Sequence, residues 1–302
     1  MQFEWPRIAP SRFGRDVAQI RHDAHLSPLF TDDGLANLLD RYPRDRMGVY
    51  MFPPHAEGRV KALHGHARDV AGADLLEAVR NGRIWLNLRA ANKHLDDYQA
   101  IADALGASVR DTYGQRTFKW DVGVLISSPN IHVHYHLDAS PVCLVQIRGR
   151  KRVWLYPPTP PYLTAKQVEA VLLREREEDM EFQHAFDTKA AIIDLDPGMA
   201  VTWPQFGPHR VQNADMMNVS LSVEFMTPAA LIRANAVYAN ANMRRQLGLN
   251  PAMPQEIGPT TIVRAAVSRG IKLVQKPPAK GPTPITFRID PQDGQVVPLA
   301  VE

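Results

Sequence analysis

The chain has 302 residues, 45% hydrophobic and 22% charged, which is enough apolar material for a full core and excludes global disorder. Its 35 basic and 32 acidic residues leave a net charge of +3. The charges are scattered, so no Lys/Arg run demands nucleic acid, although the mild basicity leaves a nucleic-acid patch open.

Cys143 is the single cysteine, so no internal disulfide forms and nothing points to an oxidising compartment. Met1 to Pro10 carries Glu4, Pro6 and Arg7 where a signal peptide needs an apolar run. No uninterrupted apolar stretch reaches the roughly 18 residues a membrane helix requires. The expected location is cytoplasmic, with no membrane partner.

Residues 1–115 read as a mostly helical N-terminal region. Thr31-Asp32-Asp33 caps an apolar face of Leu35, Leu38 and Leu39. Asp74 to Arg80 forms a second helix, closed by Asn81-Gly82. Trp85 to Leu88 is a short strand, and Leu95 to Leu105 a third helix with Gly106 as its stop. From Thr117 the pattern turns to strands: Thr117–Trp120, Val122–Ile126, Val133–Asp138, Val142–Ile147 and Arg152–Tyr156. Pro157, Pro158, Pro160 and Pro161 interrupt them, and Thr164 with Gln167 forms a capping box for a helix through Glu178, a solvated face or a lid. Strands resume at Ala190–Leu195, Met199–Trp203 and Val219–Phe225. Many short strands between Gly and Pro turns predict a barrel or sandwich over 116–226. Thr227-Pro228 then opens a helix to Leu247, and a second runs over Thr260–Leu273. Residues 276–284 read as a linker, and a terminal hairpin spans Ile285–Ile289 and Val296–Val301. These elements give residues 227–302 as a C-terminal extension.

The chemistry concentrates in His132-Val-His134-Tyr-His136-Leu-Asp138. Alternate residues of a strand share a face, so the three histidines and Asp138 are expected to point one way. Such a polar stripe is costly to bury without a partner, and a divalent ion (Fe(II), Zn, Ni or Mn) suits imidazole and carboxylate. His136-x-Asp138 has the spacing of the two-residue arm of a 2-His-1-carboxylate triad. His209 is the best candidate for the third ligand, since Gly198, Pro204, Gly207 and Pro208 supply the turn and kink that would bring it into the barrel.

Pro197-Gly198, Pro204, Gly207, His209 and Asn213 resemble the second cupin motif. The glutamate that the first cupin motif wants four residues after its second histidine is Ser140 here, and His136-x-Asp138 stands in its place. This combination resembles the JmjC-like cupins, the iron and 2-oxoglutarate dioxygenases that include the asparaginyl hydroxylase of hypoxia-inducible factor. The likeness covers roughly residues 117–226 and extends to Gln146–Lys151 followed by Trp154-Leu-Tyr-Pro-Pro.

The resemblance implies an α+β fold, with a double-stranded β-helix (cupin or jelly-roll) barrel and helical flanks. It implies Fe(II) at His136, Asp138 and His209, with 2-oxoglutarate and O₂ as cosubstrates. Lys151 would pair with the distal carboxylate of 2-oxoglutarate, and the C-terminal helices would be candidates for a homodimer interface. Two positions depart from the family: Val133 stands where a threonine is common, and Val142 where an asparagine is.

The plain readings stay beside these. Lys151 sits in a basic run with Arg148, Arg150 and Arg152, and one side of that run would be solvated. Asn213 serves either the cofactor site or a turn. His134 is a spare ligand, an acid–base group, a substrate contact or a polar group at the barrel mouth. A protein side chain, a small metabolite and a modified nucleic acid all stay open as substrates. A metal cupin of another class (an isomerase or a 2-oxoglutarate-independent dioxygenase) and a non-catalytic binding protein are the alternatives.

Overall fold

The computed structural model describes residues 1–52, 61–274 and 283–299. Its strands are β1 (Phe3–Glu4), β2 (Ala18–His22), β3 (Gly48–Met51), β4 (Leu63–His66), β5 (Trp85–Leu88), β6 (Phe118–Ser127), β7 (His132–His136), β8 (Val142–Arg148), β9 (Lys151–Leu155), β10 (Ala191–Leu195), β11 (Met199–Thr202), β12 (His209–Asn213), β13 (Asn218–Met226), β14 (Phe287–Ile289) and β15 (Val296–Pro298). The α-helices are α1 (Asp32–Arg41), α2 (Gly72–Asn81), α3 (Ala91–His94), α4 (Asp96–Tyr113), α5 (Ala165–Leu172), α6 (Pro228–Leu247) and α7 (Pro259–Val274).

The strands β6 to β13 are divided between two sheets. One has the order β10-β9-β12-β7. The other runs β1-β2-β11-β8-β13-β6-β5-β3-β4-β14-β15. This is the expected double-stranded β-helix, with helices packed outside it.

Two-sided burial explains the nearly continuous apolar run of β8. Cys143, Val145 and Ile147 point outward, into the large core that also takes Tyr98, Ile101 and Leu105 of α4. Val142 and Leu144 point into the barrel, against Val153 and Leu155 of β9 and Val211 of β12. The same alternation on β13 sends Val219, Leu221 and Val223 outward and leaves Ser220, Ser222 and Glu224 facing in.

The N-terminal region carries the expected α1, α2 and α4 and the expected strand at Trp85–Leu88, β5, but also contributes β1 to β4, so that its strands extend the large sheet at both ends. These strands run two to five residues and read weakly in sequence. α4 does not stop at Gly106. It runs to Tyr113, with Gly114 at φ 64° donating to the Arg110 carbonyl. Gly106 instead gives clearance to Trp120, whose ring lies 3.2 Å from where a Cβ would sit.

The helix expected through Glu178 ends at Leu172, followed by Arg174 at φ 59°, while its Thr164–Gln167 capping box forms. Thr227 caps α6 by accepting from the Ala230 N–H. Of the expected linker 276–284, residues 276–282 lie outside the described residues, as does the end of the terminal hairpin from residue 300. The hairpin β14–β15 joins the large sheet through β4.

Candidate metal centre

His136 and His209 lie directly opposite each other on the β7–β12 ladder. Their ring centroids are 4.0 Å apart. Asp138 follows the end of β7, and its Oδ2 lies 3.4 Å from His209 Nε2. One ligand atom from each of the three residues falls within 4.8 Å of the others.

Backbone carbonyls fix both rings. His136 Nδ1 is 2.7 Å from the His134 carbonyl, and His209 Nδ1 is 3.1 Å from the Gly207 carbonyl. Each Nδ1 therefore donates its proton, leaving the Nε2 lone pair for a ligand bond. Trp203 flanks His209 at 4.4 Å.

The electrostatics match that tautomer. His209 is 3% exposed. Burial first, then the charge of His136, holds its pKa well below the usual imidazole value, against the opposing Gly207 hydrogen bond. The Asp138 side chain is 20% exposed at its surface. Its carboxyl is nonetheless raised by burial, and the charges of His136 and Arg89 oppose that rise. Two imidazoles fixed by backbone carbonyls and a poorly solvated carboxylate converging on one point fit a divalent cation, which would compensate the carboxylate.

The four-residue polar stripe expected on β7 does not form. A β-bulge shifts the β7–β12 register between the His209 and Val211 pairings. Beyond it Val133, not His132 or His134, packs into the barrel. His132 lies on the outer face, with its Nε2 3.4 Å from Arg210 Nη1. His134 sits between His132 (4.7 Å) and Phe52 (5.7 Å), outside the triad.

Lys151 points into the barrel, in line with Val153 and Leu155, while Arg152 faces out to Asp194. Lys151 is 4% exposed. Burial alone pushes its pKa down to about 7, and no carboxylate among the described residues pairs with it. Asn213 is its partner across the β9–β12 ladder and donates to Ser127 Oγ and the Ser128 carbonyl, both at 2.8 Å.

Two contributors, Arg89 and Gln205, lie outside every motif of the sequence. Arg89 donates to Glu224 at 2.9 Å on the inner face of the large sheet. The alternation of Ser220, Ser222 and Glu224 was the available signal for that polar face. Gln205 lies in the loop before His209, and no pattern marked it. The segment after α5 also closes on the centre. Leu137 N–H donates to the Glu178 carbonyl at 3.1 Å, and Met180 N–H to the Tyr135 carbonyl at 2.9 Å, beside His136.

Fold and site together define a double-stranded β-helix protein with a His136, Asp138 and His209 cluster that could hold a metal ion. The chain belongs to the cupin-like domain family, which it matches over residues 71–229. No curated protein matches it. Among solved structures it is similar to the X-ray structure of E. coli ycfD, at 18% identity and a TM-score of 0.49, over 92% of this chain and 70% of that one. It is also similar to YcfD, a ribosomal oxygenase from Escherichia coli in complex with cobalt and 2-oxoglutarate, at 18% identity and a TM-score of 0.46, over 91% of this chain and 69% of that one.

Proposed function

We propose that the protein is an Fe(II)- and 2-oxoglutarate-dependent dioxygenase that hydroxylates a C–H bond. The observation that carries this is Lys151, a buried amine with no carboxylate partner among the described residues, in a barrel whose other end gathers His136, Asp138 and His209. When bound, Fe(II) with O₂ and 2-oxoglutarate supplies the oxidising chemistry, one oxygen entering the substrate as hydroxyl and the other entering succinate as CO₂ leaves.

His136, His209 and Asp138 hold the metal. Lys151 offers a charged donor to the distal carboxylate of the cosubstrate, which restores the counter-charge the lysine lacks. Asn213 braces that end by tying β12 to Ser127 and Ser128. Val133, Val142, Leu144 and Val153 keep water from the space between the two ends.

His134, beside Phe52, is assigned to substrate contact. The substrate is a protein side chain or a small molecule, met in the cytoplasm. Among the described residues no helix is long and apolar enough to cross a membrane. α7 leaves Ile262, Val263, Val267, Leu273 and Val274 exposed, and a second copy of the chain is the proposed cover for them. Sedimentation would report the dimer.

Val133 and Val142 favour a second reading, a metal cupin that does not use 2-oxoglutarate, because they place methyl groups where a cosubstrate would meet hydroxyl and amide. Anaerobic titration of the Fe(II)-loaded protein with 2-oxoglutarate separates the two. A visible charge-transfer band followed by succinate release on admitting air supports the dioxygenase. Fe(II) binding with neither signal supports the alternative.

A further inference from the structure

The loop Trp203–Pro208, which delivers His209, concentrates unfavourable local features that the ligand positions alone do not require. Phe206 is a buried aromatic at φ 66°, a backbone region that bulky residues rarely occupy. Beside it Gln205 is 5% exposed. Its Nε2 donates twice, to the Ala139 carbonyl at 3.1 Å and to the Ala230 carbonyl at 3.2 Å.

Two acceptors on one side settle the amide's orientation, because only an NH₂ can face two carbonyls. Its Oε1 is then left buried without a hydrogen-bond partner. An orphaned acceptor next to a strained aromatic is retained where the geometry it enforces matters.

The two carbonyls belong to the elements that the centre must hold together. Ala139 adjoins Asp138, at the start of a turn whose Pro141 carbonyl accepts from Phe225 N–H at 3.1 Å. Ala230 lies in the first turn of α6, capped by Thr227. Gln205 itself precedes His209 by four residues. Phe206 shares a buried cluster with Tyr135 and Leu137 of the β7 arm and Val237 of α6.

We propose that Gln205 is a positioning residue that ties the Asp138 turn and the first turn of α6 to the His209 loop, so that metal binding and α6 docking are coupled. The inference rests on the metal-site reading of the triad. With one amide spanning both arms, a metal that draws Asp138 and His209 together tightens α6. By reciprocity, loosening α6 weakens the metal site.

The test uses Co(II) alone, followed by calorimetry and its visible spectrum. Gln205→Met is expected to bind Co(II) about 10- to 100-fold more weakly than the unsubstituted protein, with an altered ligand-field spectrum. Asn240→Leu removes another buried amide of α6, one that donates to the Ala252 carbonyl away from the triad. It is expected to lower the melting temperature and leave Co(II) affinity within about twofold. Hydrogen exchange on the unsubstituted protein needs no variant to fold: Co(II) should slow exchange in residues 228–235 together with the ligand loop.

Co(II) affinity unchanged in Gln205→Met, or no slowing in the first turns of α6, overturns the proposal while the metal site stands. Failure of the unsubstituted protein to take up Co(II) overturns the metal-site reading itself, and the coupling with it.

Discussion

At the lysine end of the barrel, the β9–β12 ladder stays in register along its length. Asn213 faces Lys151, Val211 faces Val153 and His209 faces Leu155. At the ligand end, regular pairing breaks down within a few residues. β7 bulges, Asp138 lies past its last paired residue, and Phe206 and Gly207 turn the chain sharply before His209.

The difference follows from what each end must do. A single long side chain can be aimed by alternation alone. Three ligand atoms within 4.8 Å of one another come from two strands, with Asp138 past the end of β7 and His209 just after a sharp turn. Convergence needs irregular backbone, and irregular backbone needs bracing.

The largest predicted effect is at the irregular end. His209→Ala should lower Fe(II) or Co(II) affinity by about three orders of magnitude, because it removes a ligand and the carbonyl-fixed ring behind it. Asp138→Asn should lose the metal to a similar degree. In the metal-free protein it should leave the melting temperature unchanged or slightly raised, because it removes a carboxylate that burial disfavours. Calorimetry with and without metal checks both. A metal-free melting temperature that falls by several degrees in Asp138→Asn would show the carboxylate to be structural.

Next comes the regular end. Lys151→Met should weaken 2-oxoglutarate binding to the metal-loaded protein by about 100-fold, with metal affinity changed less than about threefold. The lysine also predicts a pH signature. Its folded value is about 7 against an ordinary 10.5. Between those values the unfolded chain binds the proton and the folded one does not. Stability of the ligand-free protein therefore rises with pH across that window, by at most about 1.4 kcal/mol per unit. Below it both states are protonated, and the cost of the buried ammonium is fully present. Chemical denaturation at several pH values should show this slope in the unsubstituted protein and lose it in Lys151→Met. 2-Oxoglutarate affinity should fall as pH rises above about 7, because the anion must recruit the charged lysine.

The contrast between the ends also explains what the sequence disclosed. The inward direction of Lys151 follows from alternation in a strand flanked by Arg150 and Arg152, and the structure keeps it. The triad was legible because the His-x-Asp spacing and the Gly/Pro punctuation before His209 are local chemical signals. The same alternation failed on β7, since one extra residue in a bulge turns His132 to the other face and nothing local marks it. Strands β2 to β4 are short, and folding brings them partners from later in the chain: β11 beside β2, β5 beside β3 and β14 beside β4. Gln205 was invisible because its role lies in two carbonyls brought to it by folding.

A smaller effect probes the turn itself. A Cβ on Gly207 would lie 2.8 Å from the Pro204 carbonyl oxygen and 3.0 Å from Trp203. Gly207→Ala must open that turn, and the His209 imidazole, held through the Gly207 carbonyl, moves with it. Metal affinity is expected to fall about tenfold with little change at the lysine end, measured as 2-oxoglutarate affinity at saturating metal.

The smallest effect falls between the two ends and should have the opposite sign. Val133 and Val142 both face the barrel, but they are not equivalent sites for testing what a polar group would add. Val142 is 2% exposed in a packed row, so an asparagine there would cost about 1–3 kcal/mol of stability and blur any gain in binding. Val133 is only partly buried against that row. Threonine matches its shape and adds one hydroxyl. If the space beside Val133 receives 2-oxoglutarate, Val133→Thr should tighten its binding about 2- to 5-fold through one neutral hydrogen bond, with metal affinity unchanged. If affinity stays the same while succinate is still released, the cosubstrate lies along the opposite wall, between Lys151 and the serines of β13.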